Sequence, residues 1–551
     1  MAQPSTHFAP YRYELEHEMN APLTGHSRRE FLMAAGTASA LMALPPGAAY
    51  GQQRARTLNV VCHPEPAVVM LGLSQQAPTQ LVGGKIYEGL LNYDFDLNPL
   101  PSLAKSWKVS PDGLTYEFKL QENAVWHDGK PFTSADVIFT TRDYLPKVHS
   151  RARNNFSNVE EWLAPDKHTV VFKMKRVFAP FLGAFQVGSA PMVPKHIYEN
   201  TDFRANPANA APVGTGPFKF KEWVRGSHIQ LVRNEAYWAA GLPKIDEIIF
   251  KIIPDVAART MALESGAVDI ATSFDLELFD IPRLQSNKNL VRVDKGGEFF
   301  GRMGWLEINH RVKPLDDKRF RQALMYAIDR EFIVKRIWFG VGKPAVGPFT
   351  SATKFHNAKA RKYNLDLKKA EALLDEMGLK RGAGGKRVTL KLLQSPYGGP
   401  WARLAEYIKQ ALGRVGIEIV MESTDAGAFA QRVSNWDFEL TFNILLQFGD
   451  PALGVSRSYV SSNIQKGIMF SNTMGYQNKR VDELFAEGSA TVDEAARKKA
   501  YDEVQDILLD EVPVVWLIEM LEPTFHNRRV KDVITGSIGT YDSFNRVRLD
   551  T

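Results

Sequence analysis

The chain has 551 residues, 44% hydrophobic and 24% charged, an ordinary composition for a soluble globular protein but too long for one core, so two or three domains are expected. Its formal charge of +6 is spread without a Lys/Arg block, which argues against a nucleic-acid groove. The single cysteine, Cys62, excludes an intramolecular disulfide and reads as a small buried hydrophobe beside the strand Leu58 to Val61.

The first residues read as an address. Ser27-Arg28-Arg29-Glu30-Phe31-Leu32 leads into the apolar run Phe31 to Leu44, then Pro45-Pro46 and small residues up to Gly51. Residues 1–53 are therefore expected to be an export signal cleaved near 49–53, with Arg28 and Arg29 as a twin-arginine pair. The apolar run is too short to span a bilayer comfortably. Export to the periplasm follows.

In chain order, Leu58 to Cys62 reads as a strand and Val82 to Leu91 as a short helix. From Leu103 to Val137 come a strand ending at Val109, a Ser110-Pro111-Asp112-Gly113 turn, and a return strand where Tyr116, Phe118 and Leu120 alternate with Glu117 and Lys119. Thr133 and Asp136 have the spacing of a capping box ahead of Val137, Ile138 and Phe139. Ala205 to Val213 reads as a surface linker, and Phe218 to Leu231 as a hairpin turning at Arg225-Gly226. Asp317 starts a long helix through Leu324 and Ile328 towards Lys335-Arg336. Then Val388, Leu390 and Leu392 form a strand; Leu404, Ile408 and Leu412 stripe a helix; Ile417, Ile419 and Met421 form another strand. Such a unit implies a right-handed crossover and parallel pairing, hence α/β architecture. Val514 to Ile518 is apolar throughout, a strand buried on both faces.

The order of fragments between Ala104 and Val137 resembles the extracytoplasmic solute-binding proteins of ABC importers, family 5, the peptide, dipeptide and nickel-binding type. Ala104 to Trp107, Asp112-Gly113, Tyr116 to Phe118, His127 to Pro131 and Thr133 to Val137 match in sequence. Tyr87-Glu88-Gly89-Leu90-Leu91 and Gly214-Thr215-Gly216-Pro217-Phe218 are similar to further family segments. The resemblance implies an α/β periplasmic binding protein-like fold (type II, cluster C): two lobes joined by a hinge, with an extra subdomain in the first. It places lobe I at 54–94, 210–306 and 523–551, the extra subdomain at 95–209, and lobe III at 307–522.

Enzyme signatures are missing. Gly340-Val341-Gly342-Lys343-Pro344 lacks the Ser or Thr of a phosphate loop, no Gly-x-Ser-x-Gly elbow occurs, and the histidines show no metal-ligand spacing. No catalytic residue, metal site or cofactor is assigned. The expected chemistry is capture of a solute between closing lobes. In peptide-binding relatives a loop resembling trp-x-x-asp-x-x-asp-pro supplies a carboxylate to the peptide amine. Here the run is Ile444-Leu445-Leu446-Gln447-Phe448-Gly449-Asp450-Pro451, with Ile444 in place of the tryptophan and Gln447 in place of the amine-pairing acid. Gln447 can hydrogen-bond a solute but cannot neutralise an ammonium. Asp450 either takes over that charge or serves as a turn residue, and Phe448 either forms an apolar wall or packs in the core. The resemblance implies a peptide or peptide-like cargo handed to an inner-membrane ABC permease with its ATPase, by a monomer. A nickel or metal complex, an opine or an oligosaccharide are the alternative cargoes, and an exported hydrolase is the rival from another class.

Overall fold

A computed structural model describes residues 56–550. The expected export signal, with Arg28 and Arg29, lies outside the described residues. Three sheets organise the rest. A seven-stranded sheet runs in the order Leu290–Val293, Thr524–Asn527, Ile270–Thr272, Thr57–Cys62, Glu247–Ile252, His228–Arg233, Phe218–Val224. A six-stranded sheet runs Gly342–Pro344, Val514–Met520, Met303–Ile308, Leu440–Leu445, Val388–Leu393, Ile417–Glu422. A four-stranded antiparallel sheet holds Ala104–Val109, Thr115–Leu120, Thr169–Met174 and Val159–Asp166.

Two large cores follow from these sheets. One joins the seven- and four-stranded sheets through residues such as Leu58, Phe118, Phe172 and Phe250. The other fills the space behind the six-stranded sheet with Trp305, Leu324, Leu404, Ile408 and Trp516. Met303–Ile308 and Val514–Ile518, central in the six-stranded sheet, are buried on both faces, as the unbroken apolar run of the latter predicts.

The expected local chemistry is visible in detail. Ala104–Val109 pairs antiparallel with Thr115–Leu120, and Gly113 takes φ +70° while Asp112 Oδ1 accepts the Leu114 N–H at 2.9 Å. Thr133 and Asp136 form the reciprocal capping box. Val388–Leu393 lies parallel to Ile417–Glu422 with the helix Gly399–Gly413 between them in sequence. His127 ties its turn to the segment leading into Phe218–Val224: Nε2 lies 2.9 Å from the Gly216 carbonyl and Nδ1 accepts from the Gly214 N–H.

Two helices differ from expectation. The one assigned to Val82–Leu91 spans Ala77–Ile86, because Tyr87 turns extended and Leu91–Tyr93 becomes a strand. The long helix from Asp317 stops at Ala327: Ile328 is extended, and Asp329 caps a new helical start by accepting the Phe332 N–H. The apolar periodicity runs on across this break and hides it.

Candidate functional site: a cleft between the two cores

The strand Leu440–Leu445 delivers a loop that leaves the second core and seats on the first. Its backbone crosses over where the Gln447 N–H donates to the Phe300 carbonyl at 2.7 Å. Phe448 takes φ +51° and Gly449 φ +74°, a double left-handed step that turns the ring sideways. The Phe448 ring meets Phe299 and Phe300, at 6.4 and 6.5 Å between centroids.

Gln447 is fully buried. Its Oε1 accepts from the Thr350 N–H at 3.0 Å and from the Thr353 hydroxyl, and its Nε2 donates to the Pro348 carbonyl at 2.9 Å. Every polar atom of the amide is engaged by protein. Asp450 is also buried: its Oδ1 accepts from the Ala452 N–H, and both carboxylate oxygens accept from Arg497 Nη2, at 2.9 and 2.7 Å. Arg497, on the helix Glu494–Glu511, spends its Nε on the Gly488 carbonyl. Asp450 borders a small side cavity of about 120 Å³ and does not line the main cleft. Of the three residues singled out in the sequence, Phe448 alone faces the main cleft.

That cleft has a volume of about 350 Å³ and is mostly apolar, with Trp401, Phe442 and Ile444 from the second core and Phe429 from a small separate cluster with Leu393, Val433 and Phe438. Gln75, Gln80 and Arg151 come from segments on the side of the first core, Arg457 from the short helix Ser456–Tyr459 beyond Asp450, and Phe300 and Arg302 from the segment leading into the strand Met303–Ile308. Tyr397 and Phe470 stand half-exposed at its rim. No Asp or Glu lines it among the described residues. Arg302 is neutralised by Glu522 at 3.0 Å, and Tyr541 donates to the same carboxylate, which braces the two crossing segments.

Sequence reasoning did not single out Arg151 or Arg457. Arg151 sits on the helix Ser150–Phe156, whose pattern SRARNNF reads as a solvated surface turn. Arg457 follows the Asp450-Pro451 loop closely, and that proximity was the one available pointer.

A second cavity, about 430 Å³, is lined by Glu88, Tyr237 and Trp238 among others. Burial pushes the Glu88 carboxyl up to about 7, and it accepts hydrogen bonds from the Tyr237 hydroxyl and the Trp238 indole. These groups satisfy one another, so this space is braced from within. Among the described residues no set of three or more His, Cys, Asp or Glu gathers as a metal site, and no helix is long and apolar enough to cross a membrane.

Comparison with known proteins converges on one family. Residues 98–466 match the bacterial extracellular solute-binding proteins, family 5. The glutathione-binding protein GsiB of Pectobacterium atrosepticum is 27% identical over 504 residues, covering 89% of this chain and 92% of that protein. The oligopeptide-binding protein AppA of Bacillus subtilis is 29% identical over 457 residues, covering 78% of this chain and 80% of its own. The crystal structure of NikZ from Campylobacter jejuni in complex with Ni(L-His) superposes with a TM-score of 0.75 at 25% identity, covering 89% of this chain and 98% of that one.

Proposed function

We propose a function from one premise: the chain belongs to the bacterial extracellular solute-binding proteins of family 5. It acts as the substrate-binding component of an ABC importer, captures a peptide or peptide-like solute between its lobes, and delivers it to an inner-membrane permease with its ATPase. The observation that carries this reading is the cleft between two separate cores, crossed by a loop that belongs to one and packs on the other. A ligand touching both sides favours the closed arrangement and so couples capture to closure.

Within the cleft, Phe448 is the contact to cargo, and Gln447 and Asp450 act by fixing the loop that presents it. Their internal hydrogen bonds and ion pair support that division. The Arg28-Arg29 segment directs export, and the mature protein works in the periplasm as a monomer. Lobe I takes in 54–94, 210–306 and 523–551, with 95–209 as its subdomain and 307–522 as the other lobe. The protein is a binder, without a catalytic group.

Native mass spectrometry of the protein purified from its own host tests the reading. A peptide-sized organic mass that leaves on mild unfolding is expected. A bound metal that persists without any organic ligand would overturn the peptide reading in favour of a metal cargo.

A further inference from the structure

Two guanidinium groups in the cleft have no counter-charge. Arg151 spends only Nη2, on the Gln75 side chain and the Gly188 carbonyl. Its Nε and Nη1 are shielded from water and have no partner. Arg457 has no hydrogen-bond or ion-pair partner among the described residues, and its Nε is likewise shielded and empty-handed. Both lie against one ring: the guanidinium carbon of Arg151 is 4.0 Å from the Phe448 centroid, and that of Arg457 is 6.0 Å away.

The two arginines hang from opposite cores. Arg151 is on the short helix Ser150–Phe156, whose Ala152 and Phe156 belong to the first, and Arg457 lies in sequence between Val455 and Tyr459 of the second. Burial and the like charge of Arg457 pull the Arg151 pKa down to about 9, and burial brings Arg457 to about 10, so both remain cationic at neutral pH. Both side chains are half-buried, and unpaired cations partly withdrawn from water are costly and repel each other. An anion between them relieves both costs.

We propose that the cargo carries a compact oxyanion, a carboxylate or a phosphate group, that bridges Arg151 and Arg457 beside Phe448. The anion then serves as more than a handle. Without it the two lobes bring like charges together, and with it the same charges pull the lobes onto the ligand. Planar guanidinium forks match both oxyanions. The apolar remainder of the cleft receives the uncharged body of the solute. This rests on the binding-protein reading and narrows its cargo to one recognised by its acid rather than by its amine.

The test uses the mature full chain with two sets of probes. The first is thermal protection by inorganic phosphate and by succinate, each against sodium chloride at equal ionic strength. The second is calorimetry with Phe-Phe in three forms: both termini free, N-acetylated, and C-amidated. Arg151→Gln and Arg457→Gln serve as variants, with Arg403→Gln, which is outside the cleft, as a control. Protection by either anion in the wild type, lost in both cleft variants and kept in the control, supports the site. A tenfold or greater loss of affinity on amidation, with acetylation tolerated, supports the acid-reading cargo. If no peptide binds but the anions protect, the anion site stands and the peptide reading falls. If free acid and amide bind equally and neither anion protects, the proposal is overturned while the peptide reading stands. If no probe of either kind acts, both are overturned.

Discussion

Asp450 and Arg497 form a closed ion pair, 2.7 Å from Oδ2 to Nη2, with both side chains almost wholly withdrawn from water. The pair pins the cleft loop to the helix Glu494–Glu511. Asp450→Asn leaves a buried guanidinium unpaired and should cost about 3–5 kcal/mol of stability, readable by urea unfolding. Cargo affinity of the folded variant should change less than threefold. A tenfold loss of affinity at preserved stability would instead place Asp450 against a cationic part of the cargo.

Gln447 stands where the sequence resemblance implies an amine-pairing acid. Gln447→Glu should not create an amine site, because the new carboxylate oxygen would face the Pro348 carbonyl that Nε2 now serves. Two acceptors in contact in a buried place should cost about 1–3 kcal/mol. Melting at pH 7.5 should show the loss and at pH 5 should recover part of it as the buried acid takes up a proton. A variant as stable as the wild type at both pH values would show that the amide network carries no weight.

Phe448→Leu keeps much of the volume but removes the ring on which Arg151 lies. Cation–π contact contributes about 0.5–2 kcal/mol. Cargo affinity should fall about three- to tenfold, with a melting temperature within a few degrees of the wild type. Unchanged affinity by calorimetry would return Phe448 to a packing role alone.

His310 offers a pH test away from the cleft. Burial, then the nearby Arg321, holds its pKa down at about 3 against the ordinary 6.5, although its ring is hydrogen-bonded to the Pro513 carbonyl. The unfolded chain therefore binds this proton at higher pH than the folded one. Stability from the ring is whole above pH 6.5 and drains as pH falls towards 3, by up to about 1.4 kcal/mol per unit. His127, held at about 4, has the same sign, while Glu88, raised to about 7, has the opposite one. A difference measurement isolates the ring. The stability gap between wild type and His310→Gln should narrow between pH 6.5 and 4.5 in denaturant titrations. A gap independent of pH would refute the neutral, buried imidazole.

The scaffold was legible because its signals are local. The Asp112-Gly113 turn, the Thr133/Asp136 box and the alternation of Tyr116, Phe118 and Leu120 each fit within a few residues. The strand–helix–strand unit from Val388 to Glu422 needed only the change of period from two to 3.6 and back. The cleft was less legible because its chemistry is between distant segments. Asp450 reads the same in sequence whether a ligand or Arg497 holds it, and nothing local announces a partner on a later helix. Arg151 looks like a surface residue until the loop carrying Phe448 covers it. Only folding brings the covering ring and the covered charge together.

The placement of Thr524–Asn527 inside the seven-stranded sheet, between Leu290–Val293 and Ile270–Thr272, has a consequence for synthesis. The sheet's first strand, Thr57–Cys62, emerges early, yet one of its interior strands is nearly the last to leave the ribosome. Further closing bonds come later still, as where Lys85 Nζ donates to the Thr540 carbonyl. A nascent chain thus carries two open strand edges until translation ends. A chain truncated before residue 524 lacks that strand and leaves Leu290–Val293 and Ile270–Thr272 each with an unpaired edge.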